Sequence, residues 1–224
     1  MDSDQEKKAA AAKSLQWIKD GMLVGLGSGS TAAHMIRGLG EKVIEGLSIK
    51  GVPSSDTTAE LAREAGIPLI SLEEAGTLDI NIDGADEFDA KLQLIKGGGG
   101  ALLREKIVAY NSRINVVITD SAKQVERLGK FKLPIETIPF ATKNIITELD
   151  KMELRPVLRK KGDDAYETDE SNYIVDVDVF KQNDLVGLNN ALINIPGVVE
   201  TGLFLDTTHV IIMGKDDGTV VFEK

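Results

Sequence analysis

The 224-residue chain contains no cysteine and only two histidines, His34 and His209. The first absence rules out disulfides, thiolate catalysis and cysteine-ligated zinc. The second argues against a histidine-rich metal site, since the two residues lie far apart in sequence. Long apolar runs are missing too: none approaches the ~18 residues that indicate a membrane span. Positive charge is scarce, with a formal net charge of −10. Nucleic-acid binding rests on phosphate neutralisation, so neither a nucleic acid nor a membrane is expected as partner. The N-terminal MDSDQEKKAAAAK lacks the apolar core of a secretory signal and the Arg/Ser-rich, acid-poor character of a transit peptide. A cytoplasmic location is expected. Acid–base chemistry in such a chain falls to carboxylates, lysines or hydroxyls. An anionic small molecule remains a candidate ligand, through helix N-termini and a few lysines.

What is present alternates. Residues 5–19 read as an alanine-rich amphipathic helix with Ala11, Leu15 and Ile18 on one face. MLVGL (22–26) is a buried-strand pattern, followed by GSGST (27–31) and a helix with apolar spacing at Ala32, Met35, Ile36 and Leu39. LSIKGV (47–52) reads as a strand, PSSDTT (53–58) as a loop rich in N-cap residues, and IPLI (67–70) as the next strand. INVVITD (114–120) repeats the buried pattern. Strands alternating with helices predict a parallel sheet covered on both faces. The character changes near residue 129. The order β-α-β-β-α-β over 132–204 is that of a ferredoxin-like α+β unit, with KGDDAYETDES (161–171) as a solvated hairpin loop. The tail HVIIMGKDDGTVVFE reads as a hairpin turning at Asp217-Gly218.

The stretch 78–106 concentrates Asp83, Asp86, Lys96 and Glu105 around a run of four glycines. DGADE (83–87) reads as a hairpin turn or, with Asp83, Asp86, Glu87 and Asp89 close together, as a divalent-cation loop. It does not meet the EF-hand pattern. KGGGGALLREK (96–106) is more specific. Consecutive glycines cost backbone entropy, yet their N–H groups can approach a ligand oxygen as an oxyanion hole requires. Glu105 follows near the start of a helix, and a neighbouring lysine would oppose the pKa rise that nearby carboxylates impose. GLGSGST (25–31) approximates a dinucleotide fingerprint but has Ser30 where its last glycine belongs. Its hydroxyls at a helix start suit a single phosphate; a tight turn capped by Ser30 is the other reading. Lys123 lies where loops at a sheet's carboxyl edge meet a ligand. His34 reads as a core or subunit-contact residue, and His209 has no assigned role.

GLGSGSTA, the PSSD loop, DGADE, KGGGGALLREK, SAKQVERLGKFKLPIE and IPGVVETGLF resemble A-type ribose-5-phosphate isomerase, in order from the first helix to the end of the chain. The resemblance implies an α/β fold: a Rossmann-like doubly wound, mostly parallel sheet (1–128 with 205–224) plus a smaller ferredoxin-like α+β domain (129–204). It also implies homodimers or homotetramers, a sugar-phosphate substrate, and isomerisation with no metal or cofactor. The family's catalytic base falls on Glu105, and its other catalytic positions on Asp83, Asp86 and Lys96. Substrate contacts fall on Ser28, Gly29, Ser30, Thr31, Gly84, Ala85, Gly97, Gly98, Gly99 and Lys123. Ser28 stands where the family more often has threonine, so a small change in phosphate affinity is expected. A sugar-phosphate sensor domain without catalysis is the alternative; it would call for a basic helix-turn-helix, which this acidic chain does not show. A dinucleotide-dependent dehydrogenase ranks last, because LSIKGV ends in Val52-Pro53 rather than in the acidic residue that holds a ribose.

Overall fold

The computed structural model describes residues 2–216 and 218–224. Helix α1 (Ser3–Ser14) starts at Asp2, whose carboxylate accepts the Gln5 N–H while the Gln5 side chain accepts the Asp2 N–H, a capping box. Strand β1 (Leu23–Leu26) leads into α2 (Ser30–Ile44), which buries Ala32, Met35, Ile36 and Leu39 at helical spacing. Next come β2 (Lys50–Pro53), α3 (Asp56–Glu64), the single turn α4 (Leu72–Ala75) and β3 (Ile80–Asp83). Short strands β4 (Glu87–Phe88) and β5 (Leu94–Ile95) precede α5 (Leu102–Tyr110) and β6 (Asn115–Asp120). They are followed by β7 (Leu133–Thr137), α6 (Thr142–Lys151), β8 (Val157–Leu158), β9 (Lys160–Lys161) and β10 (Asp164–Ala165). The last elements are β11 (Tyr173–Val177), α7 (Leu185–Ile193), β12 (Val198–Thr201), β13 (Leu203–Phe204), β14 (Val210–Lys215) and β15 (Gly218–Glu223). No helix among the described residues is long and apolar enough to cross a membrane.

The chain forms two compact units. The first comprises residues up to 85, 104–124 and 206–224. Its six-stranded sheet has the order β15-β14-β6-β3-β1-β2, parallel except for β15. Strands β3 and β6 are buried along their whole length and β1 along most of it, as the continuous apolar runs predict. Val24, Leu26, Met35, Ile36, Ile80, Ile82, Val116 and Ile118 share its core. The chain passes from β1 outward to β2 and then returns to the other side of β1 as β3. That reversal is a topological switch point, where the carboxyl ends of two neighbouring parallel strands send their loops apart and leave a crevice.

The second unit comprises 86–103 and 125–205. Its four-stranded antiparallel sheet runs β12-β7-β11-β8, the 4-1-3-2 order of a ferredoxin-like unit, with α6 and α7 supplying Ile145, Leu149, Leu188 and Leu192 to its core. A three-stranded sheet, β13-β5-β4, completes it. Three details differ from the sequence reading. Residues 86–103 group with the second unit, because Ile95 pairs with Leu203 and packs among Leu133 and Ile135. IPLI makes one isolated parallel bridge, Gly51 to Leu69, instead of a strand. DGADE is no hairpin turn: β3 belongs to the six-stranded sheet and β4 to the three-stranded one. The tail does pair as a hairpin, with Lys215 opposite Gly218, although Asp217 of its expected turn lies outside the described residues.

Candidate active site

In the first unit, the candidate residues of the loops after β1, β3 and β6 lie at the carboxyl edge of the parallel sheet. Register places Leu26 beside Ile82, so the loops after β1 and β3 leave the sheet side by side. Asp83, the last residue of β3 and 3 % exposed, accepts the Ser28 N–H at 3.0 Å and the Gly84 N–H at 2.7 Å on Oδ1. This approach requires glycine at 27. A Cβ there would stand 2.2 Å from Asp83 Oδ1 and 2.4 Å from its Cα. Ser28 turns its hydroxyl toward the PSSD loop: Oγ lies 2.9 Å from Ser54 Oγ, 3.1 Å from Thr58 Oγ1, and donates to Ser55 Oγ at 2.8 Å. Thr58 in turn donates to the Gly27 carbonyl. The serine thus joins two loops, a role its position in GSGST does not reveal.

Gly29 is the N-cap of α2, with φ of +95° and no side-chain cap. Ser30 is the first helical residue, not the cap, so the open N–H groups of the first turn are available to an anion. Gly29 and Ser30 are exposed, whereas Thr31 is buried. Lys123 ends a short 3₁₀ turn, Ser121–Lys123, directly after β6. Two carboxylates hold that turn. Asp120 accepts the Ala122 N–H, and Glu6 of α1 accepts both the Ser121 N–H and hydroxyl at 2.9 and 2.8 Å. These bonds hold the Glu6 carboxyl below its ordinary pKa. Glu105 stands in the first turn of α5, 6 % exposed.

In the second unit, Asp86 and the glycine run form one hydrogen-bonded group. The Asp86 Oδ2 accepts the Gly98 N–H at 2.7 Å, and a Cβ on Gly98 would stand 2.6 Å from its Oδ1. Gly97 and Gly100 have φ of +99° and +88°, joined by a Gly100 N–H to Gly97 carbonyl bond at 3.0 Å. Three of the four glycines, Gly97, Gly98 and Gly100, are therefore used for backbone geometry or close approach, not as a slack linker. Lys96 is 4 % exposed, with Nζ 5.5 Å from the centre of the Phe204 ring and its N–H bonded to the Gly202 carbonyl. Gly84 and Ala85 close the first unit's share of the DGAD connection.

The divalent-cation reading of DGADE loses two of its carboxylates. Glu87, 4 % exposed, accepts the Gly129 and Phe131 N–H groups and ties that loop down. Asp89 accepts the Lys91 and Gln93 N–H groups within its own turn. Among the described residues no group of three His, Cys, Asp or Glu is arranged to hold a metal. Both histidines are engaged as well: His34 Nε2 lies 2.9 Å from Asp4 Oδ1, and His209 Nδ1 accepts the Asn115 N–H at 3.0 Å.

Two side chains that sequence reasoning passed over reach the glycine run. Arg159 Nη1 donates to the Gly97 and Gly98 carbonyls at 2.9 and 3.2 Å, and Tyr166 donates to the Gly99 carbonyl at 3.0 Å. Tyr166 lies in the stretch read as a solvated loop. The signal was a lone tyrosine within an otherwise charged segment, and an arginine ending the alternation of β8.

The chain is similar in sequence and fold to known proteins. A model of the family Ribose 5-phosphate isomerase A (phosphoriboisomerase A) matches residues 50–218. The chain is 52 % identical to Ribose-5-phosphate isomerase A of Ruegeria sp. (strain TM1040), over 97 % of this chain and 86 % of that protein. It is 48 % identical to the protein of that name from Parvibaculum lavamentivorans, over the full length of both. The solved ribose 5-phosphate isomerase A of Methanocaldococcus jannaschii superposes with a TM-score of 0.93 at 40 % identity, covering 97 % of this chain and 98 % of that one. A D-ribose-5-phosphate isomerase solved in complex with phospho-erythronic acid superposes over both full lengths with a TM-score of 0.96 at 40 % identity. With the family model spanning most of the chain and relatives near half-identical along all of it, the chain belongs to the ribose 5-phosphate isomerase A family.

Proposed function

We propose that this chain interconverts ribose 5-phosphate and ribulose 5-phosphate by proton transfer through an ene-diolate, with Glu105 as the base. The base assignment rests on the KGGGGALLREK motif, where the family's catalytic base falls on Glu105, and is supported by the burial of that carboxylate in the first turn of α5. Glu105 takes the proton from C2 of the open-chain aldose and returns it to C1; such a positioned base contributes roughly 10²–10⁴-fold. The charge that develops on the ene-diolate oxygens is met by the Lys96 ammonium and by backbone N–H groups of the glycine run. Of these the Gly98 N–H is already given to Asp86, which leaves Gly97 and Gly99 as the donors. Asp83 and Asp86 hold sugar hydroxyls and assist ring opening. The phosphate sits on the start of α2, at Gly29, Ser30 and Thr31, with Lys123 as counter-charge.

The phospho-erythronic acid in the solved relative supports this reading, since a planar anionic carboxylate remote from a phosphate resembles the ene-diolate. The test is the spectrophotometric conversion of ribose 5-phosphate. A sensor domain would bind the sugar phosphate without turning it over, and that result would replace the enzyme reading.

A further inference from the structure

We infer that Arg159 and Tyr166 are positioning residues that aim the backbone N–H groups of the glycine run by holding its carbonyls. The inference rests on the proposed isomerase reading and adds to it the groups that set the cradle's geometry.

In a trans peptide the carbonyl of one residue and the N–H of the next point in opposite directions across one plane. Whatever fixes a carbonyl therefore fixes the donor that follows it. Arg159 Nη1 takes the carbonyls of Gly97 and Gly98, and Tyr166 takes that of Gly99, so three successive planes are held. The donors they orient belong to Gly98, Gly99 and Gly100. Gly98 donates to Asp86 and Gly100 donates back to Gly97. Gly99 is exposed, and its N–H is the one of the three left for a ligand oxygen. Glycine residues do not hold such an arrangement unaided, because they populate left- and right-handed backbone about equally.

The two braces are themselves fixed. Arg159 gives Nε and Nη2 to the Asp176 carboxylate, a fork that orients the guanidinium so that Nη1 faces the carbonyls. Its N–H bonds the Ile174 carbonyl and its carbonyl accepts the Tyr166 N–H. The guanidinium carbon stands 5.9 Å from the centre of the Tyr166 ring. Beyond the tyrosine, Thr168 and Asn172 both donate to buried Glu136 on β7, which pins the segment. The fit at the turn is close, since a Cβ on Gly100 would stand 2.3 Å from Tyr166 Oη. Burial also raises the phenol above its ordinary pKa, so it remains a donor.

Tyr166→Phe removes one hydrogen bond and keeps the ring; Arg159→Lys keeps the charge and loses the fork. Each variant is assayed for kcat and KM with ribose 5-phosphate, for inhibition by 4-phospho-erythronic acid and by inorganic phosphate, and for its urea midpoint. The expected result is a kcat lower by about tenfold or more in Arg159→Lys, which releases the carbonyl ahead of the Gly99 donor. In Tyr166→Phe, which loosens the turn closed by the Gly100 N–H, the expected loss is beyond about twofold. Inhibition by phospho-erythronic acid weakens by a similar factor, while KM, phosphate inhibition and the Tyr166→Phe midpoint change little. Variants whose kcat and phospho-erythronic acid inhibition both stay within about twofold of the parent would overturn the inference. So would losses that appear equally in KM, phosphate inhibition and stability, which mark a merely structural role. A parent protein without isomerase activity would overturn the proposed function instead.

Discussion

Replacing Gly27 with alanine tests whether the switch point of the first unit sets the position of Asp83. The added Cβ would lie 2.2 Å from Asp83 Oδ1 and 2.4 Å from its Cα, where ordinary contact begins at 3.4 Å. The second contact is with backbone, so rotating the Asp83 side chain relieves only part of the clash. The ends of β1 and β3 must part by about 1 Å, and a misplacement of that size costs about 100-fold in rate. On the scale of ~1.4 kcal/mol per tenfold, that is roughly 2.7 kcal/mol of transition-state stabilisation. Overpacking adds about 1–3 kcal/mol to the loss of stability, read from a urea titration. Gly21→Ala is the control, because Gly21 has φ of +80° with nothing within 4 Å of its Cβ. It should lose about 1–2 kcal/mol of stability through backbone strain, with kcat/KM unchanged. Gly27→Ala with parental kcat/KM would refute the reasoning.

Three further outcomes follow from the geometry. Glu6 has its pKa held below the ordinary 4.5 chiefly by the Ser121 N–H, then by the Ser121 hydroxyl. A depressed carboxylate stabilises the fold above its unfolded pKa and loses that contribution as pH falls through the folded value. Glu6→Gln should therefore flatten the acid side of the stability–pH curve below about pH 4.5; an unchanged curve would contradict the Ser121 bonds. Glu87→Gln should lower the urea-derived stability by about 1–3 kcal/mol, because one of the two loop N–H groups then faces an amide donor. Dialysis against a chelator should leave the isomerase rate unchanged, and a loss of rate reversed by added divalent cation would restore the metal reading of DGADE.

Much of the first unit was legible because local pattern and tertiary role agree there. The apolar runs of β1, β3 and β6 are buried strands, and GSGST does open a helix. The glycine run was legible for the opposite reason, since four glycines at a helix start contradict propensity unless geometry demands them. Contacts across long sequence separations leave no such local pattern. Ser28 looked like a phosphate ligand, yet its hydroxyl meets Ser54, Ser55 and Thr58. Glu87 looked like a candidate metal ligand, yet it anchors the Gly129–Phe131 loop. Tyr166 looked solvated because its neighbours are charged, and the pairing of β10 with β9, continued by the Tyr166 N–H to the Arg159 carbonyl, shows where that segment folds back. Residues 86–103 looked continuous with the parallel sheet because β5 is too short to declare its partner.

The measurement closest to the central claim is solvent-hydrogen exchange during isomerisation. With the parent protein in D2O, deuterium should enter C1 of ribulose 5-phosphate, because the proton leaves carbon for a base before it returns. A Glu105→Gln protein shown to be folded by its urea transition should lose both this exchange and turnover, by about 10²–10⁴-fold. Exchange at the parental rate in Glu105→Gln would contradict the assignment of the base, and turnover by the parent with no deuterium at either carbon would contradict proton transfer to an exchangeable base.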